Sequence, residues 1–327
     1  MKYPKISEYV KANQDVSDNL DMSTEATNAE LNEAIIDEFA EFGVKYSKDG
    51  RKLLKAPKNF DGTYSIKEGT QIICDRAFIG CKSLRSIVIP DSVTSIGDSA
   101  FFGCWFLCSL VIPDSVTSIG DWAFGDCLSL SSIVIPESVV NLNGNPFCRW
   151  NGELKCLSPY FIYDNKVLFN KDKSKIIAFR DKKAKSYAIP DYVTSIGDSA
   201  FKCCESLRSI VIPDSVTSIG ESAFRDCSSL TDIAIPDSVT SIGDRAFFGC
   251  SSLSSVVIPD GVTSIGEGAF KGCRSLRSVV IPDSVTSIGN RAFHECYFPN
   301  DLKQKLISRF GKGIFEQLYG GLYYYGE

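Results

Sequence analysis

Residues 84 to 104 read LRSIVIPDSVTSIGDSAFFGC, and these residues decide the fold. Ile87 and Ile89 alternate with Ser86 and Val88, the period-two signature of a strand. Pro90 withdraws the next amide donor, so a hydrogen-bonded ladder stops there, and Pro-Asp-Ser suits a turn with proline at its second position. Val93 and Ile96 then face inward again, and Gly97 permits a backbone bend. Asp98 is placed to cap a short helical turn that carries Ala100 and Phe101 into a core. A single unit of this kind has no way to bury its own apolar edge. Stacked copies do, so the phrase has to recur.

It recurs through most of the chain. Ile-Pro steps end at Pro90, Pro113, Pro136, Pro190, Pro213, Pro236, Pro259 and Pro282, always 23 residues apart except for one step of 54. Phe147 and Trp150 keep phase with Phe101 and Cys104, so a degenerate coil and a coil with an insertion fill the long step. Ile66 to Cys81 adds a partial unit in front, and about ten coils are expected. The product is a mainly β, right-handed repeat solenoid with a parallel sheet on its concave side.

The unit, with its IPDSVTSIGDSAF wording, resembles the leucine-rich repeats of the BspA-like family over residues 66 to 296. It lacks the Asn that ladders after the strand in most leucine-rich repeats. The resemblance implies a leucine-rich-repeat superhelix acting as a binding module, displayed in some relatives on bacterial surfaces.

The flanks divide the rest. Residues 1 to 44, at a net −7, form an acidic arm in which Ser23-Thr24-Glu25-Ala26 opens an amphipathic helix with Leu31, Ile35, Phe39 and Phe42 on one face, a cap for the open end. Residues 45 to 65 read as a basic β-hairpin, 66 to 297 as the solenoid, and 298 to 327 as a C-terminal capping helix and tail. In that helix Asn300 or Asp301 is the cap, and Leu302, Leu306, Phe310 and Ile314 share a face. The insertion, at about 160 to 182, repeats the hairpin pattern: Val44, Tyr46, Asp49, Leu53 and Leu54 match Val167, Phe169, Asp172, Ile176 and Ile177. Both hairpins are lysine-rich, which suits edges that must not pair with other chains.

Charge and composition exclude much. The 327 residues carry 35 Lys+Arg against 40 Asp+Glu, a net −5 that does not fit a dedicated nucleic-acid binder. One histidine, His294, leaves little for a metal cage or a His-dependent triad, and no glycine-rich phosphate loop occurs. Thirteen cysteines include a column at 81, 104, 127, 204, 227, 250, 273 and 296, read as small reduced core residues. The remaining cysteines show no zinc spacing. No enzyme activity, cofactor, metal or membrane span is expected, and the chain is expected to be monomeric. The first twenty residues show no export signal, which points to the cytoplasm; the resemblance makes the cell surface the alternative.

Function is therefore expected on surfaces. The outward strand positions give columns through Ser86, Ser209 and Asp232, through Val88, Val111, Val134, Val211, Val257 and Val280, and through Arg85, Arg208 and Arg277. Such a face suits docking of a protein or peptide. Nine steps of about 4.8 Å across a strand width near 12 Å give roughly 500 Å², so neighbouring loops would have to contribute. A second candidate is an apolar patch of Phe102, Trp105, Phe106 and Trp122, where sister coils are polar; the N-terminal helix is expected to cover it. The alternative function is a surface adhesin for a host protein, matrix or glycan.

Overall fold

A computed structural model describes residues 23–36 and 43–316. Its unit is the 23-residue coil, and each coil contributes two strands. The first, Leu84–Val88 in the opening quotation, buries Leu84 and Ile87 and exposes Arg85 and Val88. The second, Ser95–Ile96, buries Ile96, in keeping with the inward position expected for it.

The two-residue strands form the long ladders. One sheet runs Ile35–Ile36, Lys45–Tyr46, Lys52–Lys55, Ile72–Ile73, Ser95–Ile96, Ser118–Ile119, Asn141–Leu142. It begins antiparallel and turns parallel at Lys52–Lys55. The other repeats this plan: Phe161–Asp164, Val167–Asn170 and Lys175–Phe179 pair antiparallel, then Ser195–Ile196 begins a parallel run to Ser287–Ile288. The strands of the outward face pair in shorter groups, with breaks after Leu110, Cys156 and Ile233. The basic hairpin ends at Lys55, and Gly62–Ser65 lies parallel to Leu84–Val88, so residues 62 to 65 already belong to the stack.

Three local expectations are corrected. Proline is the first residue of its turn, because the amide of Val93 donates to the carbonyl of Pro90 at 3.0 Å. Asp98 caps no helix: its Oδ1 accepts the amide of Asp121 on the next coil at 2.8 Å. Gly97 is needed for closeness, since a Cβ there would fall on the Asp75 carboxylate and backbone. The segment after it is a turn whose second residue takes a left-handed backbone, as at Ser99, Ser199 and Ser222.

The polar letters of the repeat serve this stacking. Ser115 Oγ donates to Val93 O at 2.7 Å and Thr117 Oγ1 to Thr94 O at 3.2 Å, one coil back. The column cysteines do the same: Cys104 Sγ donates to Phe78 O, and Cys250 Sγ to Phe224 O, both at 3.2 Å. Beside them the phenylalanines stack nearly parallel, Phe224 on Phe247 at 5.2 Å and Phe247 on Phe270 at 5.1 Å. Each buried ring contributes roughly 1.5–3 kcal/mol by leaving water.

The ends are closed differently from each other. At the N-terminus the helix spans only Asn28–Asn32, capped by Thr27, whose amide in turn donates to the Glu30 carboxylate, and Ile35–Ile36 is a strand against Lys45–Tyr46. Neighbouring β-branched residues favour that pairing over a continued helix. Phe39 and Phe42 lie outside the described residues. Leu31 packs with Leu54, Ile72 and Cys74. At the C-terminus the helix Asn300–Phe310 follows Pro299, with Leu306 buried, and Ile314 sits on the 3-10 turn beyond Gly311. Phe293 N donates to Ile314 O at 2.9 Å, so this turn replaces a further coil.

Candidate functional site

The outward strand face is built by register. Ser86 lies beside Ser109, Ser209 beside Asp232, Ser255 beside Ser278 and Val257 beside Val280. Val88, Val111, Val134, Val211, Val257 and Val280 are 42 to 75% exposed, a ridge of branched apolar side chains in solvent. Arg85, Arg208 and Arg277 border it. Arg85 stands 3.9 Å from Asp61, and the Arg277 guanidinium lies 5.5 Å from the ring centre of Tyr297.

The four aromatic residues differ in exposure: Phe102 and Trp122 are half-buried, and Trp105 and Phe106 are exposed. Phe102 and Trp122 meet at 6.1 Å, and Trp122 is held in place: its Nε1 donates to Ser199 Oγ at 3.0 Å while Lys202 Nζ lies 2.8 Å from its ring centre. Trp105 and Phe106 stay 41% and 57% exposed, with Lys82 4.0 Å from the Trp105 ring centre. The described N-terminal helix packs on Leu54 and Ile72 instead.

The turn edge holds features that reading one coil at a time does not show. A groove of about 900 Å³ runs along it past Asp75, Asp98, Asp121, Asp198 and Glu221. Most of this carboxylate row is engaged, since Asp75, Asp98, Asp121, Asp198 and Asp244 each accept a main-chain amide of the next coil. Asp121 also accepts from Ser199 Oγ at 3.3 Å, and burial pushes its pKa up to about 7. Burial likewise brings Lys202 down to about 8. Ser199 is 1% exposed and its hydroxyl donates to Asp121. His294 sits on a different coil, beside Glu295 at 3.7 Å.

The same edge carries the seam across the long step. Asn145 Nδ2 donates to Ser199 O at 3.0 Å and Arg149 pairs with Glu205 at 2.9 Å, so the turn edge continues as if the intervening residues were absent. Arg180, from the insertion, places its guanidinium 4.3 Å from the Trp150 ring centre and donates to Gly152 O. Among the described residues, no group of three or more His, Cys, Asp or Glu is arranged to hold a metal, and no helix is long and apolar enough to cross a membrane.

A solenoid of about ten parallel coils, with its polar repeat positions spent on stacking, is a leucine-rich-repeat protein. The family described as BspA type leucine rich repeat region matches residues 62–157 and 175–299, in six copies, and the chain belongs to it. A leucine rich cell surface protein from Faecalibacterium prausnitzii has a similar structure, with 29% identity and a TM-score of 0.59 over 79% of this chain and 76% of that one. A leucine-rich repeat protein from Eubacterium ventriosum gives 21% and 0.54 over 82% and 97%, and the pneumococcal vaccine antigen PcpA 22% and 0.57 over 87% and 82%. No curated protein matches the chain significantly.

Proposed function

We propose that the chain is a non-catalytic interaction scaffold that docks a protein or peptide on its outward strand face, between Val88 and Val280. The ridge of exposed valines carries this reading. The side chains of the repeat's serines, threonines and aspartates bond from coil to coil, whereas the valine side chains stand in solvent and gain by burial at about 25 cal/mol per Å². Arg85, Ser86, Arg208, Ser209, Asp232 and Arg277 supply the polar rim, and Trp105 with Phe106 a second contact that enlarges a narrow face. No enzymatic role is assigned. The similar Faecalibacterium protein is a cell surface protein, which favours a place outside the cell over the cytoplasm and keeps the adhesin reading as second choice.

The test is affinity capture from host and bacterial extracts with the intact protein and with Val211→Lys/Val257→Lys. A partner retained by the first and lost by the second supports the face. Equal capture by both overturns it.

A further inference from the structure

The cysteines are of two kinds. Cys104, Cys227, Cys250 and Cys273 each donate their thiol to the carbonyl oxygen of a phenylalanine 26 residues earlier, at 3.1 to 3.2 Å. Cys148 and Cys203 stand outside this column and hydrogen-bond to each other. Both are free thiols. Two thiols already in contact need only side-chain rotation to reach disulfide distance.

Their backbones are anchored on opposite sides of the seam. The amide of Asp126 donates to Cys148 O at 3.1 Å, which ties Cys148 to the coil before it. The amide of Cys203 donates to Arg225 O at 2.8 Å, which ties Cys203 to the coil after it. The bond from Asn145 to Ser199 lies just before the pair in both turns, and the Arg149–Glu205 ion pair just after it. These two links hold the turns face to face, with the thiols between them.

The surroundings make the two sulfurs unequal. The hydrogen bond from Cys148 lowers the Cys203 pKa, and Arg149 and Lys202 add to this against burial and Asp226. The same bond, together with burial, raises the Cys148 pKa. Cys203 is also the more open of the two, 8% exposed against 1%. The thiolate is the nucleophile of disulfide exchange, so Cys203 attacks first and Cys148 resolves. A second contacting pair, Cys204 with Cys227, is sealed in the core, and the Cys204 sulfur there accepts from Lys182 Nζ at 3.6 Å.

We infer that Cys148 and Cys203 form a disulfide lock across the seam, made by exchange with a small-molecule disulfide. The Cys203 thiolate attacks one sulfur of that disulfide and releases the other as a thiolate. Cys148 then gives up its proton, attacks the Cys203 sulfur and releases the second thiolate. Two protein thiols are oxidised, and one small disulfide is reduced to two thiols. The bridge joins residues 55 positions apart and fastens the N-terminal coils to the C-terminal ones. It is independent of docking on the valine face.

Peptide mapping without reduction, after the reduced full chain has been incubated with 2-hydroxyethyl disulfide, tests the lock; exposed Cys108 marks that exchange has taken place. A peptide linking Cys148 to Cys203 is expected, with a rise in melting temperature on the order of 5 °C that dithiothreitol reverses. Cys148→Ser should leave Cys203 carrying a mixed disulfide with mercaptoethanol and show no such rise. Modified Cys108 beside unlinked Cys148 and Cys203 overturns the proposal. So does a bridge from Cys203 to Cys204 or from Cys204 to Cys227, or the expected bridge without a rise in melting temperature. An unmodified Cys203 in the folded variant overturns its assignment as the attacking thiol. If the variant fails to fold, the linked peptide and the melting of the native chain decide alone.

Discussion

Asn145 donates its side-chain amide to the carbonyl of Ser199, 3.0 Å away in space and 54 residues on in sequence. This bond, with Arg149 to Glu205, lets the turn edge run unbroken past an excursion of two coils. Asp121, bonded to Asn145 N and to Ser199 Oγ, is the buried charge of that junction.

Asp121 gives a pH-dependent test. Its folded pKa, about 7, lies above the ordinary 3.8, so the stability it allows is complete below pH ~4 and declines as pH rises through 7. Asp121→Asn keeps an acceptor for the Asn145 amide without the charge. Its melting temperature relative to the parent should be higher at pH 8 than at pH 5, by an amount on the order of 2 kcal/mol in stability. A difference that does not change with pH would refute the buried charge.

The cysteine column makes a second test. Burial pushes Cys81, Cys127 and Cys296 up to about 12 from 9.0. A thiol with a raised folded pKa contributes stability that is intact below pH 9 and lost as pH rises toward 12. Melting temperature should therefore fall steeply over that interval, and less steeply in a variant with Cys127→Ala and Cys250→Ala. In the native protein at pH 7.5, Cys108, the one exposed thiol of the thirteen, should alkylate first, as peptide mass spectrometry would show. Prompt labelling of the column would contradict its burial.

Strand phase is tested by neighbours. Ile210 is 5% exposed and Val211 64%. Ile210→Lys buries an unpaired ammonium and should cost several kcal/mol, whereas Val211→Lys should stay within about 0.5 kcal/mol. Thermal melts of both variants decide it, and similar losses would mean that the outward face is covered.

The N-terminal cap is tested through Glu30, whose carboxylate meets the nearly buried Lys52 at 2.9 Å. Glu30→Gln should destabilise the protein by about 1–3 kcal/mol at pH 7. The parent's advantage should shrink as pH falls below 4.5, because bonds from Thr27 and Lys52 hold the Glu30 pKa below that value despite some burial. Chemical denaturation at pH 7 and pH 3.5 measures both.

The stack was legible in the sequence because alternation at Ile87 and Ile89, followed by Pro90, is a local signal repeated in phase. What was misread depends on partners one coil away. Asp98 looks like a helix cap until its acceptor role toward Asp121 is seen, and the strand at Ser95-Ile96 is too short to be recognised until its parallel neighbours are in place. The cap helix was overextended because Leu31 and Ile35 fit helical spacing as well as they fit the observed helix and strand. Exposure of Val88 and Val211 followed from alternation, but the seam between Asn145 and Ser199 needs residues 54 apart in sequence to be superposed before they meet.

The insertion hairpin has two working faces. Leu168, Ile177 and Ala178 pack into the N-terminal core, while Val167, Phe169, Ile176 and Phe179 pack into the C-terminal one. Each half of the chain thus starts from its own antiparallel template, and the hairpin serves as lid for one and foundation for the other. Cooperativity in a stack passes from neighbour to neighbour, so a break at this shared element divides the chain into two units. Pulled from its ends, such a molecule would lengthen in two separate steps, one half yielding while the other stays folded.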